Sequence, residues 1–260
     1  VGPKAANLGE LYHHYPEAVA NGLAIPFGVF RSLLDQSAKN GSQTIFEWME
    51  AEYAAIQGMP SDSAKRAEKM ESLRKQLENY ILNADPGGDF RRRLSAALDK
   101  VFGSDGTYGV FVRSDTNVED LPGFTGAGLN KTIPNVVGFE NVLAAIPRVW
   151  ASPFSKRAFA WRQSHMDQPQ HVYSSVLLLR SIPSEKSGVM VTRDIDTGEP
   201  GWLSVAVNEG VGGAVDGQAA ESLRINLKTG EVRMLAQATT PWRRVLKSTG
   251  GMDKELIKGG

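Results

Sequence analysis

Residues 110–129 read VFVRSDTNVEDLPGFTGAGL, and the rest of the chain takes its meaning from them. Tyr108, Val110 and Val112 alternate with Gly109 and Phe111, so the stretch opens as a short strand. It then breaks into a polar loop carrying Arg113, Ser114, Asp115, Thr116 and Asn117. The acids Glu119 and Asp120 follow, and then Gly123, Gly126 and Gly128. An arginine delivered by a strand edge into hydroxyls and glycines suits a phosphate. Its guanidinium is a fixed fork of donors, and glycines let backbone N–H groups approach an anion. The same letters also suit an arginine-capped turn closed by a structural ion pair, and composition alone leaves both readings open.

The chain is 260 residues long, enough for one large domain or two small ones. It carries 29 Lys and Arg against 29 Asp and Glu, for a net charge of zero. Nothing therefore marks a nucleic-acid or membrane surface, and any anion site must come from a few placed cations. The lack of cysteine excludes disulfides and thiolate metal sites and is compatible with a cytoplasmic setting. No apolar run approaches the roughly 18 residues a membrane span requires. The chain starts at Val1 without methionine and stops at Gly259-Gly260, so a domain of a longer protein is expected.

Upstream of the loop, VGPKAANLGEL (1–11) reads as a turn leading into a helix, with Lys4 just ahead of the helix N-terminus. There, dipole and ammonium would act together on an anion; a solvated surface lysine is the alternative. GLAIPFGVF (22–30) is a strand and turn. Residues 42–102 are helical, with Phe46, Met49, Tyr53 and Ile56 on one stripe and Met70, Leu73, Leu77 and Ile81 on a second. Phe90, Leu94, Leu98 and Phe102 form a third. Arg74 falls on the expected polar face, and the Arg91–Arg93 run reads as a solvated face. A long helix is expected over 139–165 with a break near Pro153. Beyond Met166-Asp167-Gln168-Pro169 the pattern turns to strands at 171–182, 187–193, 202–207, 223–227 and 232–235.

The segment 207–225, VNEGVGGAVDGQAAESLRI, joins two of these strands and carries Glu209, Asp216 and Glu221, with Arg224 after them. Nucleotide-bound Mg²⁺ asks for one or two carboxylates plus phosphate oxygens. Two acids on neighbouring strands would serve, and so would the reading of two surface carboxylates near a hairpin.

RSDTNVEDLPGFTGAGL resembles the phosphate-binding loop of the pyruvate phosphate dikinase, phosphoenolpyruvate synthase and glucan water dikinase superfamily. VGPKAANLGEL, RVWASPFSKRAFAWR and KSGVMVTRDIDTG resemble further segments of the same family in the same order. The resemblance implies an α+β fold, ATP-grasp-like, of two subdomains with a nucleotide cleft between them. Residues 1–168 would carry a helical insert and the phosphate loop, and residues 169–260 would be β-rich with the metal ligands. It implies catalytic roles for Lys4 and Arg113 on ATP phosphates, with Ser114, Asp115 and Arg224 also at the nucleotide. Leu179-Arg180 would be the adenine hinge, acting through backbone groups. Glu221 and Glu209 would hold Mg²⁺; if 210–213 is laid instead on the family's G-L-G-E, the glutamate falls on Gly213. The implied function is the ATP-binding module of a dikinase-type phosphotransferase, passing phosphate to a histidine on a separate swivelling domain. From there it would reach pyruvate or another acceptor on an acceptor domain. A glucan, water or antibiotic acceptor, or a non-catalytic nucleotide-binding domain, fits the same motifs. Such a module alone would bind ATP and turn nothing over.

Overall fold

The computed structural model describes residues 1–38, 41–121, 124–125, 131–215 and 218–257. The chain divides into two compact units, Val1–Arg180 and Ser181–Gly260.

The first unit opens with α1 (Pro3–His14), β1 (Gly22–Ile25) and α2 (Phe27–Leu34). Three helices follow, α3 (Ile45–Gln57), α4 (Ala64–Asn83) and α5 (Gly87–Phe102). Then come β2 (Gly109–Thr116), the two-residue strands β3 (Asp120–Leu121) and β4 (Phe124–Thr125), β5 (Thr132–Val137), α6 (Phe139–Trp150), α7 (Lys156–His165) and β6 (Ser174–Arg180). β1, β6, β2 and β5 form one sheet in that order, every pairing antiparallel.

The helical periodicities hold. Phe46, Met49, Tyr53 and Ile56 on α3, Leu73, Leu77 and Ile81 on α4, and Leu94, Leu98 and Phe102 on α5 are all buried. They join Phe30, Val110, Val112, Ile146, Trp150, Val176 and Leu178 in one core. Each such side chain contributes about 1.5–3 kcal/mol of apolar burial. A capping box starts α3, where Thr44 accepts from the Glu47 amide and Glu47 reaches back. The expected long helix is broken at Pro153: α6 ends at Trp150, Ser152–Phe154 make a 3₁₀ turn around Pro153, and α7 resumes at Lys156.

Arg74 corrects the polar-face expectation. It is buried, ion-paired to Glu71 and Glu78, and donates 2.9 Å to the Phe154 carbonyl. Its bonds to Glu71 and Glu78 raise its pKa further. The division of the chain also differs from 168/169. β6 pairs with both β1 and β2, so it belongs to the first unit's sheet, and the boundary falls after Arg180.

The second unit is a four-stranded antiparallel sheet in the order β10 (Val232–Ala236), β9 (Glu221–Asn226), β8 (Trp202–Glu209) and β7 (Lys186–Val191). A hairpin of β11 (Trp242–Leu246) and β12 (Met252–Leu256), not expected from the sequence, follows. Val211 is the one buried hydrophobic side chain among this unit's described residues. No helix of the described residues is long and apolar enough to cross a membrane.

Candidate functional site

β2 delivers the loop residues to two faces. Side chains alternate along a strand, so Val110, Val112 and Ser114 turn to the helical core, while Phe111, Arg113 and Asp115 turn the other way. Ser114 was expected to contact a nucleotide. Its hydroxyl is instead buried and has no hydrogen-bond partner among the described residues. Its backbone is engaged: Ser114 N donates to the Lys131 carbonyl at 3.0 Å, and its carbonyl accepts from Lys4 Nζ at 3.0 Å.

Asp115 is buried and closes the first turn of α1. Its Oδ1 accepts from Lys4 N and its Oδ2 from Ala5 N, each at 2.9 Å. These are amides a helix start leaves without intrahelical partners. Gly2 N donates to Ser175 Oγ at 3.2 Å, and Ser175 Oγ donates to the Asp115 carbonyl at 2.6 Å. A Cβ on Gly2 would lie 2.3 Å from Asp115 Cγ, so only glycine lets α1 approach this closely. Lys4 is thereby fixed beside the end of β2. Its ammonium also ion-pairs with Glu119, a buried acid whose other oxygen accepts from Thr116 N at 3.3 Å. The structural ion pair left open by the sequence therefore exists, and it involves Lys4 rather than Arg113.

Arg113 is half-buried and has no hydrogen bond or ion pair among the described residues. Burial pushes its guanidinium below the ordinary arginine range, opposed by the charge of Asp115. A desolvated cation of this kind gains most from an arriving anion. The glycines at 123, 126 and 128 lie outside the described residues.

Leu179 and Arg180 end β6. Leu179 is half-buried opposite Gly22 and Phe111. The Arg180 guanidinium bonds the Phe102 carbonyl and lies 5.8 Å from the Phe102 ring and 5.9 Å from the Tyr108 ring. Its side chain is thus committed to the end of α5, and its backbone N–H to Asn21 O at 3.0 Å.

In the second unit, Val207 on β8 faces Glu221 on β9. Glu209, two residues along β8, is the diagonal neighbour on the same face, at a general spacing of about 7–8 Å. Lys186 Nζ lies 3.7 Å from Glu209, and Glu221 has no ion pair among the described residues. Met190, Val205, Leu223 and Met234 continue this face as a row across the four strands. Met190 and Met234 are 60% and 55% exposed. Position 213 is not a carboxylate site: a Cβ there would meet Asn208 Cβ at 2.8 Å and Gln218 Oε1 at 2.2 Å. Asp216 lies outside the described residues. Arg224 is three residues from Glu221 and therefore on the opposite face. There it pairs with Asp194 at 2.9 Å and with Asp196. Asp194 Oδ1 accepts from the amides of Asp196 and Thr197, and these bonds, with Arg224, hold its carboxyl below the usual range.

No three His, Asp or Glu side chains of the described residues gather as a preformed metal cluster. Two carboxylates on one face instead suit a hard cation that completes its shell with phosphate and water. Glu119 and Ser175 were not singled out as site residues. The signal for Glu119 lay in the acid pair after the loop; nothing local marks Ser175, which a long-range strand pairing brings to Asp115.

A family model described as the pyruvate phosphate dikinase AMP/ATP-binding domain matches residues 1–246. A rifampicin phosphotransferase of a Streptomyces species is 28% identical over 252 residues, 96% of this chain and 27% of the relative. The rifampicin phosphotransferase of Bacillus cereus is 26% identical over 257 residues, 99% of this chain and 28% of the relative. The phosphoenolpyruvate synthase of Pseudomonas aeruginosa is 30% identical over 208 residues, 76% of this chain and 24% of the relative. The chain thus spans about a quarter of the length of these curated relatives.

Proposed function

The chain belongs to the pyruvate phosphate dikinase AMP/ATP-binding domain family, and from that premise we propose that it is the ATP-binding module of a dikinase-type phosphotransferase with an ATP-grasp-like fold, acting in the cytoplasm. The observation that carries the reading is the end of β2. Two cations from distant parts of the chain are held there, Lys4 by the Ser114 carbonyl and Glu119, and Arg113 without a partner among the described residues. Phosphoryl transfer asks the protein mainly for positioning and charge neutralisation. Arg113 offers its fork to phosphate oxygens. Lys4 adds a point charge whose place is set by the Asp115 bonds to α1. Glu209 and Glu221 would hold Mg²⁺, which when bound neutralises phosphate charge. Arg224 serves the Asp194 turn rather than the nucleotide.

In the whole protein the phosphate passes to a histidine of a swivelling domain, and from there to an acceptor on a further domain. Pyruvate is one acceptor class. An antibiotic acceptor is the second reading, favoured by rifampicin phosphotransferases that match nearly all of this chain.

The test is calorimetric titration of this chain with ATP and Mg²⁺. Arg113→Met and Lys4→Met should each weaken binding by about tenfold or more, the scale of losing one charge-assisted contact. Unchanged affinity in both variants overturns the site. In the full-length protein, β-³²P-ATP should leave an acid-labile label on histidine; an unlabelled protein that still binds ATP overturns the transfer step alone.

A further inference from the structure

α1 is a twelve-residue helix laid on a sheet, yet none of its residues is buried. Beneath it lies a partly open cavity of about 410 Å³. Its walls are Leu8, Gly9 and Tyr12 of α1, Leu177 and Leu179 of β6, and Lys100 at the end of α5. Protein interiors are close-packed, and this volume lies within the range of small-molecule pockets, about 300–1,000 Å³. The cavity is open because small residues occupy the positions that would fill it. A Cβ on Gly9 would meet nothing within 4 Å. Most of the lining residues are apolar, and the polar side chains among them are Tyr12, Asn21 and Lys100. Lys100 has no acidic partner there among the described residues, and its charge at the C-terminus of α5 already suits that helix dipole. The chemistry of such a site is a mainly apolar, ring-sized slot with one cation in its wall.

We propose that this cavity binds a small aromatic or alicyclic carboxylate, with the ring between α1 and β6 and the carboxylate at Lys100. The cavity lining includes neither Lys4 nor Arg113, although it shares Leu179 with the expected adenine hinge. The occupant is an anion because the only charged wall residue is a lysine. It is a small molecule rather than a protein segment because the volume matches a ring system.

The probe is 1-naphthoate, titrated without nucleotide into the protein carrying ¹³C-labelled leucine and valine methyl groups. The expected result is a saturable shift of the Leu8, Val19, Leu177 and Leu179 methyls. Gly9→Leu and, from the opposite wall, Ala20→Leu should each weaken binding at least about tenfold while the remaining methyl spectrum stays folded. Lys100→Met should weaken naphthoate binding several-fold and leave binding of neutral 1-naphthalenemethanol unchanged. The absence of a saturable shift at millimolar probe overturns the proposal. So does equal affinity in both filled variants, or shifts that track protein concentration and thus report self-association of the exposed α1 face.

Discussion

Gly2 and Asp115 are 113 positions apart in sequence and in van der Waals contact in the fold. A methyl group on Gly2 would collide with the carboxylate that closes α1, and neither the buried Asp115 nor its strand has room to withdraw. Gly2→Ala should therefore cost about 1–3 kcal/mol of stability, the scale of overpacking, and should also displace Lys4 and weaken ATP binding. Arg113→Met, which removes a side chain without a partner among the described residues, should weaken ATP binding with little loss of stability. Urea unfolding alongside ATP titration separates the two; a Gly2→Ala protein as stable as the parent would mean that α1 is not held by Asp115. The sequence marks Lys4 near a helix start, and the structure holds it beside the end of β2. The steric duty of Gly2 toward Asp115 is not visible there, because what a glycine makes room for is set by a strand far along the chain. A second residue-scale expectation concerns acid. The folded state holds Asp194 below its ordinary value of 3.8, so the stability it lends is present above that pH and is lost as pH falls through the folded value. Asp194→Asn should flatten the acid limb of unfolding followed by Trp202 and Trp242 fluorescence; an unaltered limb would show that Asp194 is not part of it.

At the scale of elements, period two decides what the acids of the second unit do. Glu209 and Glu221 share a face of β8 and β9, and Arg224 stands on the other. Glu221→Gln and Glu209→Gln should each reduce the Mg²⁺-dependent part of ATP affinity by about tenfold. Arg224→Met should leave that part intact and loosen the Asp194 turn. Calorimetry with Mg²⁺ and with EDTA reads the difference, and a Mg²⁺ effect lost only in Arg224→Met would reverse the assignment of faces. The helices and most strands were legible from their periodicities because one buried face suffices to specify them. Three features were not. Arg74 reads as solvated because a helical wheel does not show that the 3₁₀ turn Ser152–Phe154 places the Phe154 carbonyl over it. β6 was grouped with the later strands because its partners, β1 and β2, are far away in sequence. The resemblance puts Ser114 with Arg113 at the nucleotide, whereas the strand continues to Thr116 and sends neighbouring side chains to opposite sides.

Across the whole molecule, the apolar core is distributed unequally. The first unit's core joins its sheet with six of its helices, from Phe30 on α2 to Phe159 on α7 and Val176 and Leu178 on β6. The second unit holds together chiefly by strand ladders and turn bonds, and leaves Met190, Val232, Met234 and Leu235 more than half exposed or close to it. Local stability follows buried apolar contact. Amides of β8 and β9 should therefore exchange with solvent at least about tenfold faster than those of β2 and β6. A ligand that binds only the folded state adds RT ln(1 + [L]/Kd), about 2.7 kcal/mol at a hundredfold excess over Kd. Saturating Mg²⁺-ATP should then slow exchange in β8 and β9 by up to about a hundredfold. The Glu221→Gln protein should show much less of this slowing at the same nucleotide concentration. Hydrogen exchange followed by mass spectrometry measures both quantities on one sample. Equal basal exchange in the two units would refute the link drawn from core to stability. Slowing in β8 and β9 that is undiminished in Glu221→Gln would instead show that the nucleotide steadies these strands without the carboxylate assigned to its metal.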